Sequence, residues 1–313
     1  MDLRHLRALV CIAETGSMTR AAEILHIVQP ALSRQLKLLE EDVGAVLFER
    51  GRHGMSLTNE GQILLDYTRR ALQELERARI EIQPNTQSIQ GKVALGLLPS
   101  ISERLACSLM QRCQHDYPGI RLHFSVAYAG HMQDWLDQGD IDLALLYHPD
   151  PSASLQLTPV FHEQLWLAAP ADAGLQVDRP VALAELQQQA LILPSVSHGI
   201  RTLVDHLTAF SQLKLNIIAE TNSLDIQKAL VINRQGWTIL PLIAFIRELR
   251  EGRLSAAPLS DPSLQRTIAI AQSAVRRQPV AVRCVRELLL DELKRLHQHE
   301  QWQGSQWIEQ FSS

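Results

Sequence analysis

The sequence predicts an α/β chain in two parts, a small helical segment at the N-terminus and a larger body of alternating strands and helices arranged as two lobes. Three observations carry this prediction. Over residues 1–42 apolar side chains recur at three- and four-residue spacings, from about residue 92 short aliphatic runs alternate with amphipathic helical stretches, and a polar break at Pro84, Asn85, Thr86, Ser88 and Gly91 divides the two. A length of 313 residues suits about two domains. With 46% hydrophobic and 20% charged residues, each can close a core. The apolar runs, such as Leu95 to Pro99, fall far short of the roughly 18 residues a membrane helix needs. The first residues carry Glu14 where a secretory signal needs an unbroken apolar stretch, so a cytoplasmic protein is expected.

The first helix places Leu3, Leu6, Leu9, Val10 and Ala13 on one face, and Gly16 stops it. Ser17 can cap a second helix from Met18 to about His26, in which Ala21 and Ala22 admit a close neighbour. The third begins at Gln29 and Pro30, proline being tolerated where the first-turn N–H has no partner anyway. Leu32, Leu36 and Leu39 turn inward, which leaves Gln29, Ser33, Arg34 and Lys37 on the outer face, side chains able to bond base edges or phosphates in a major groove. An amphipathic hairpin with a solvated polar face has the same spacing, so spacing alone leaves the two readings open. The formal net charge of -4 advertises no basic field, but residues 1–58 balance seven Lys or Arg against seven Asp or Glu, with Arg20, Arg34, Lys37, Arg50 and Arg52 among them.

The run AAEILHIVQPALSRQLKLLEEDVGAVLFERGRHGMSLTNEG decides between them, because it resembles the winged helix-turn-helix of LysR-type transcriptional regulators. Ala21, Ala22, Leu25, Gln29, Pro30, Ser33, Leu36, Leu39, Glu40, Gly44, Leu47, Phe48, Arg50, Leu57, Thr58 and Gly61 match in order and without gaps. Val28 departs from the pattern, standing where the family often has the hydroxyl of Ser or Thr. The stretch LFERGRHGMSLT fits the family's wing, with Gly51 and Gly54 for the turn and Arg50, Arg52 and His53 offered to the sugar-phosphate backbone. LFERGRHG, GLLPS and LILPSVSHGIR are similar to the branch of nitrogen-assimilation control regulators.

After the wing, Leu64, Thr68, Ala71, Leu75, Ala78 and Ile82 step by four and three residues, a heptad seam on a helix from Asn59 to about Gln87. About 25 helical residues would make a rod near 37 Å long. The resemblance implies a linker helix that dimerises through Leu64, Ala71, Leu75, Ala78 and Ile82. The expected organisation is a DNA-binding domain over 1–58, linker and hinge over 59–89, an effector-binding domain over 90–300 and a tail over 301–313. Lobe I takes about 92–162 and 268–300, and lobe II about 163–267.

Alternation of strands and helices after the hinge argues a parallel sheet covered on both faces. The resemblance implies two Rossmann-like lobes, like a periplasmic binding protein. No GxSxG, HExxH, GxxxxGK or GxGxxG motif is present, so an enzyme is not expected. Cys11, Cys107, Cys113 and Cys284 form no CxxC pair and read as idle thiols, the helical pair Cys107 and Cys113 as core thiols. His297 and His299 read as a solvated pair, and neither a metal nor a cofactor is expected.

The polar residues at the carboxyl ends of strands are the candidate ligand site, since open sheets bind there. They are Ser100, Ile101, Ser102, Tyr128, Tyr147 and His148 in the first lobe, and Ser195, His198, Arg201, Asn222 and Ser223 in the second. The resemblance implies that they converge on a cleft, with Ser100, His198 and Arg201 holding a small anion. It implies as partners a double-stranded DNA operator, a small-molecule effector, further copies of the chain as dimer or tetramer, and RNA polymerase. A ligand-binding or hydrolytic α/β protein with a helical oligomerisation appendage is the alternative. Trp302, Trp307 and Phe311 read as a tail docked by aromatics.

Overall fold

The computed structural model describes residues 1–51, 54–82, 89–147, 153–196, 198–261, 264–298, 302 and 304–308. The chain forms two compact units, Met1–Pro84 and Asn85–Ser313. In the first, α1 (Leu3–Thr15), α2 (Met18–Ile24) and α3 (Gln29–Val43) pack through Ala8, Leu9, Ile12, Ala21, Leu32, Leu36 and Leu39. Asp2 and Ser17 cap α1 and α2 with side-chain oxygens, and Gly16 and Gly44 end α1 and α3 in the left-handed conformation. Helix α2 stops before the expected His26, because that residue turns left-handed at φ 55° and breaks the ladder.

Strands β1 (Phe48–Gly51) and β2 (Gly54–Leu57) form an antiparallel hairpin. The hairpin docks on the α1–α2 turn through the Met55 N–H, which donates to the Gly16 carbonyl at 2.8 Å. This contact needs glycine at 54: at φ 114° a Cβ there would lie 2.3 Å from that same carbonyl oxygen. Gly51, expected to allow the tight turn together with Gly54, has open space around its would-be Cβ and no left-handed φ, so only Gly54 is required there. Helix α4 (Asn59–Ile82) then buries Leu65 and Thr68 against the same core.

The second unit is built on β3 (Gln90–Leu97), α5 (Ser102–Asp116), β4 (Gly119–Val126), α6 (Ala129–Gln138), β5 (Leu143–Tyr147) and a 16-residue strand β6 (Leu155–Pro170). Lobe II follows with β7 (Ala190–Pro194), α7 (Gly199–Phe210), β8 (Asn216–Thr221), α8 (Leu224–Ile232), β9 (Thr238–Pro241), α9 (Ile246–Arg250) and β10 (Leu254–Pro258). The chain returns through β11 (Gln265–Ser273) and α10 (Val280–Gln298), and β12 (Ser305–Trp307) ends the described structure.

The sheet is mixed, not parallel throughout as the alternation suggested. β3 pairs in parallel with β4 and β5, and β7 with β8, but β6 and β11 run antiparallel to each other and β11 antiparallel to β5. The physical reason is β6, one strand long enough to serve both lobes. Its first half pairs with β11 and its second half with β9 and β10, so the paths out of and back into lobe I lie side by side in opposite directions. Every residue of β5 is buried, as expected for a strand with helices on both faces. Lobe I closes over Leu95, Leu105, Leu109, Leu143, Leu145, Val285 and Leu289. Among the described residues no helix is long and apolar enough to cross a membrane.

Candidate DNA face and effector cleft

In the first unit, α3 presents the face that its spacing predicted. Leu32, Leu36 and Leu39 are buried, while Gln29, Pro30, Arg34 and Lys37 are exposed and Ser33 is half-buried between them. Lys37 lies 3.6 Å from Glu41, an exposed pair that holds it weakly. Arg20 on α2 is also exposed. Val28 precedes α3 without a side-chain cap and is 70% exposed, so the first-turn N–H groups of α3 lack the hydroxyl that Ser or Thr would supply. The Arg50 backbone lies in β1. Arg52 and His53 lie outside the described residues.

Along α4 the predicted seam divides. Leu64 packs partly on the core of its own unit, and Thr68 is buried there. Ala71, Leu75, Ala78 and Ile82 are exposed, Leu75 by 49% and Ile82 by 77%.

In the second unit the carboxyl ends of β3, β4 and β8 feed the starts of α5, α6 and α8 around a cavity of about 730 Å³ between the lobes, and the start of α7 reaches the neck beside it. Ser100, Ile101, Ser102 and Tyr128 line it from lobe I, and Asn222 and Ser223 from lobe II. Helix α5 starts without a side-chain cap, and the Ser102 hydroxyl donates back to the Pro99 carbonyl at 3.3 Å. The Ser102 N–H donates to the Leu98 carbonyl at 3.0 Å, and the positive end of the α5 dipole lies at the Ser102 that lines the cavity. Three cations and three anions share the wall, Arg104, Lys228 and Arg247 against Glu103, Asp225 and Glu248. Burial acts to raise Glu248, but the Lys228 ammonium 3.0 Å away prevails and holds its carboxyl below the usual range. Cys107 is exposed on this wall, whereas Cys113 is buried. Six residues apart on one helix they point to different sides, and the expectation of a core thiol fails for Cys107.

Beneath the cavity a narrow neck of about 20 Å³ is closed by aromatic rings. Tyr128 meets His198 edge-on at 4.4 Å between centroids, and Tyr147 lies 5.3 Å from the same imidazole. Both tyrosines bridge the lobes: the Tyr128 hydroxyl donates to the Asn222 carbonyl at 2.7 Å, and the Tyr147 hydroxyl accepts from the Gly199 N–H at 3.4 Å. Burial pushes the Tyr128 phenol up, which keeps it a donor. His198 caps α7, its Nδ1 accepting from the Ile200 N–H at 3.1 Å, so its proton sits on Nε2. Burial first, and the Arg266 cation second, hold His198 down to about 3.

Because the folded pKa is depressed, the neutral imidazole contributes fully above about pH 6.5. That contribution falls as the pH drops towards 3, where the unfolded chain takes up a proton that the folded chain refuses. Wild-type stability from urea midpoints should decline between pH 6.5 and 4 by up to about 1.4 kcal/mol per unit more steeply than that of His198→Asn. Parallel profiles would remove His198 from the neck.

Arg201 is engaged elsewhere. Its guanidinium pairs with Asp205 at 2.8 Å and Glu220 at 2.6 Å, and it lines neither the cavity nor the neck. Ser195 is half-buried, its N–H donating to the Thr221 carbonyl at 3.2 Å. His148 lies outside the described residues. The cation that does reach the neck, which the sequence reading missed, is Arg266 on β11. It is 3% exposed, paired to the buried Glu163, and stands 5.1 Å over the Tyr147 ring with Nη2 donating to the Ser100 hydroxyl at 3.2 Å. Removing one partner of such a pair leaves a bare buried charge and costs about 3–5 kcal/mol.

Two family models match this chain. "Bacterial regulatory helix-turn-helix protein, lysR family" covers residues 3–62, and "LysR substrate binding domain" covers residues 86–294. The chain belongs to the LysR family. It is a DNA-binding transcriptional regulator with an effector-binding domain, and its relatives are regulators, not enzymes. The nitrogen assimilation regulatory protein nac of Klebsiella aerogenes is 30% identical over 296 residues, 94% of this chain and 96% of that one. A probable nitrogen assimilation transcriptional activator of Synechococcus elongatus is 30% identical over 274 residues, covering 86% and 88%. Among solved structures, full-length OxyR from Pseudomonas aeruginosa superposes with a TM-score of 0.71 at 23% identity over 99% of both chains. Full-length CbnR in complex with its target DNA gives 0.71 at 20% identity over 94% and 99%. Each is a LysR-fold neighbour of this chain.

Proposed function

We propose that this LysR-family regulator works in the cytoplasm as a dimer or tetramer joined through the exposed half of α4, and that α3 reads the operator while the hairpin with Arg50, Arg52 and His53 holds the backbone. A small anionic effector sits in the cleft and changes how the linked DNA-binding units meet the operator and RNA polymerase. The cavity of about 730 Å³ between the lobes, with the start of α5 and Ser100 at its wall, is the observation that carries the effector reading. CbnR, whose fold this chain shares, has been solved bound to its target DNA, which supports the DNA reading.

A ligand that grips both lobes favours the closed arrangement by its differential affinity, and a bias of about 1–3 kcal/mol suffices to change operator contacts. The balance of three cations and three anions on the wall favours a second reading, a ligand carrying both charges. Calorimetry of the full chain with small carboxylates, inorganic phosphate and amino acids separates the two. Ser100→Ala should weaken the binding member at least tenfold and remove the transcriptional response while leaving operator affinity in place. An unchanged response in Ser100→Ala would put the effector elsewhere.

A further inference from the structure

The matched effector domain ends at residue 294, and the chain continues into a segment that returns to lobe I. Strand β12 pairs antiparallel with β6, Ser305 opposite Glu163 and Trp307 opposite Phe161, and the Gln164 N–H donates to the Gly304 carbonyl at 2.8 Å. Trp307 stacks on Phe161 and meets the His297 ring at a tilt, 5.7 Å between centroids, and the His297 Nδ1 bonds the Ser305 hydroxyl at 2.8 Å, so His297 is a docking residue for the tail and not half of a solvated pair. His299 and Phe311 lie outside the described residues.

Packing alone would hold this tail, yet Trp302 does more. It is 2% exposed, meets Phe161 edge-on at 4.4 Å and donates its indole N–H to Glu163 Oε1 at 2.5 Å. The other oxygen of Glu163 accepts from Arg266 Nε, and Arg266 Nη2 donates to the Ser100 hydroxyl. A carboxylate bonded at both oxygens by donors on two different elements cannot rotate, and the guanidinium it grips is fixed with it. Because the Ser100 oxygen accepts from Arg266, the hydroxyl proton remains to be donated to a ligand in the cavity that Ser100 lines.

We infer that Trp302 is a positioning residue of the effector cleft: it fixes Glu163, Glu163 fixes Arg266, and Arg266 orients the Ser100 hydroxyl towards a bound carboxylate or phosphate group. The tail beyond the family domain thereby completes the ligand site. This inference rests on the cleft being the effector site. It differs from a purely structural tail in one respect, since altering Ser100 must be felt at the Trp302 indole.

The test uses the full chain labelled with nitrogen-15, in which five tryptophans give five indole signals and Trp302→Phe assigns one of them. Ser100→Ala should move the Trp302 signal and leave that of Trp237 in lobe II in place. A Trp302 signal unmoved by Ser100→Ala overturns the inference, whatever the effector is. Calorimetry with inorganic phosphate and small carboxylates adds the functional arm. Trp302→Phe, which keeps a ring and loses the N–H, should weaken the binding anion about tenfold. Trp307→Phe, which disturbs the same tail without touching Glu163, should change it less than twofold at a similar melting temperature. Equal losses in the two variants mean a tail that only docks and contradict the inference. A wild-type chain that binds none of these anions contradicts the cleft reading instead, and the indole result then decides the coupling by itself.

Discussion

Replacing Leu75 with glutamate is expected to abolish self-association and operator binding together, with a loss of operator affinity of at least a hundredfold. Leu75 is 49% exposed and Ile82 77% exposed on α4, in register with Ala71 and Ala78, a narrow apolar stripe that its own unit leaves exposed among the described residues. Fully burying a leucine or isoleucine against a partner helix is worth about 1.5–3 kcal/mol, so two copies of this stripe supply much of a dimer interface. A carboxylate in the middle of it must shed its water without a partner, which reverses the gain. DNA binding follows because affinity for the phosphate backbone grows with the number of contacts, and one winged unit makes only half of them. Because Leu75 is half exposed in the single chain, the variant should fold normally. Sedimentation of Leu75→Glu as an intact dimer would contradict the interface.

The second large effect is expected at Arg34. Exposed on the same face as Gln29 and Ser33, it stands where the helix meets base edges, and a bidentate arginine–guanine contact is worth about 1–3 kcal/mol of discrimination. Arg34→Ala should weaken the cognate operator by about 10- to 100-fold and relax preference at one base pair per half-site. Lys37→Ala should behave differently. Its ammonium is a point charge without base-pair selectivity, so all sequences should weaken alike and the salt dependence should flatten by about one contact. Equal behaviour of the two variants would remove the distinction between reading and anchoring.

What the sequence disclosed depended on how local each feature was. Helix α3 was legible because Leu32, Leu36 and Leu39 fix its inward face within three turns, and the absent cap at Val28 was visible as a missing hydroxyl. The strand-end residues around Ser100, Tyr128 and Asn222 were legible because parallel strands present their carboxyl ends to one side. Strand β6 was legible only in its second half. Pro159, His162 and Glu163 interrupt the apolar pattern of the first half, and Glu163 is tolerated there because Arg266 neutralises it from 103 residues away.

For the same reason Arg266 was invisible, since nothing local to RTIAIAQ places it beside Ser100. Arg201 was misassigned to the ligand although Asp205, four residues on and on the same helical face, was a readable partner; Glu220, the other, was not. The docking of β12 depended on an unfilled stretch of β6 edge that only the assembled sheet creates.

Helix α3 is expected to give this LysR-family chain a specific, two-fold operator. Selection of bound sequences from a random duplex pool, with wild-type protein and Arg34→Ala in parallel, tests it most directly. An enriched motif with dyad symmetry is expected in the wild type, and the same spacing in the variant with preference relaxed at one position in each half. No enriched motif in the wild type, or an identical motif with identical preference in Arg34→Ala, would contradict it.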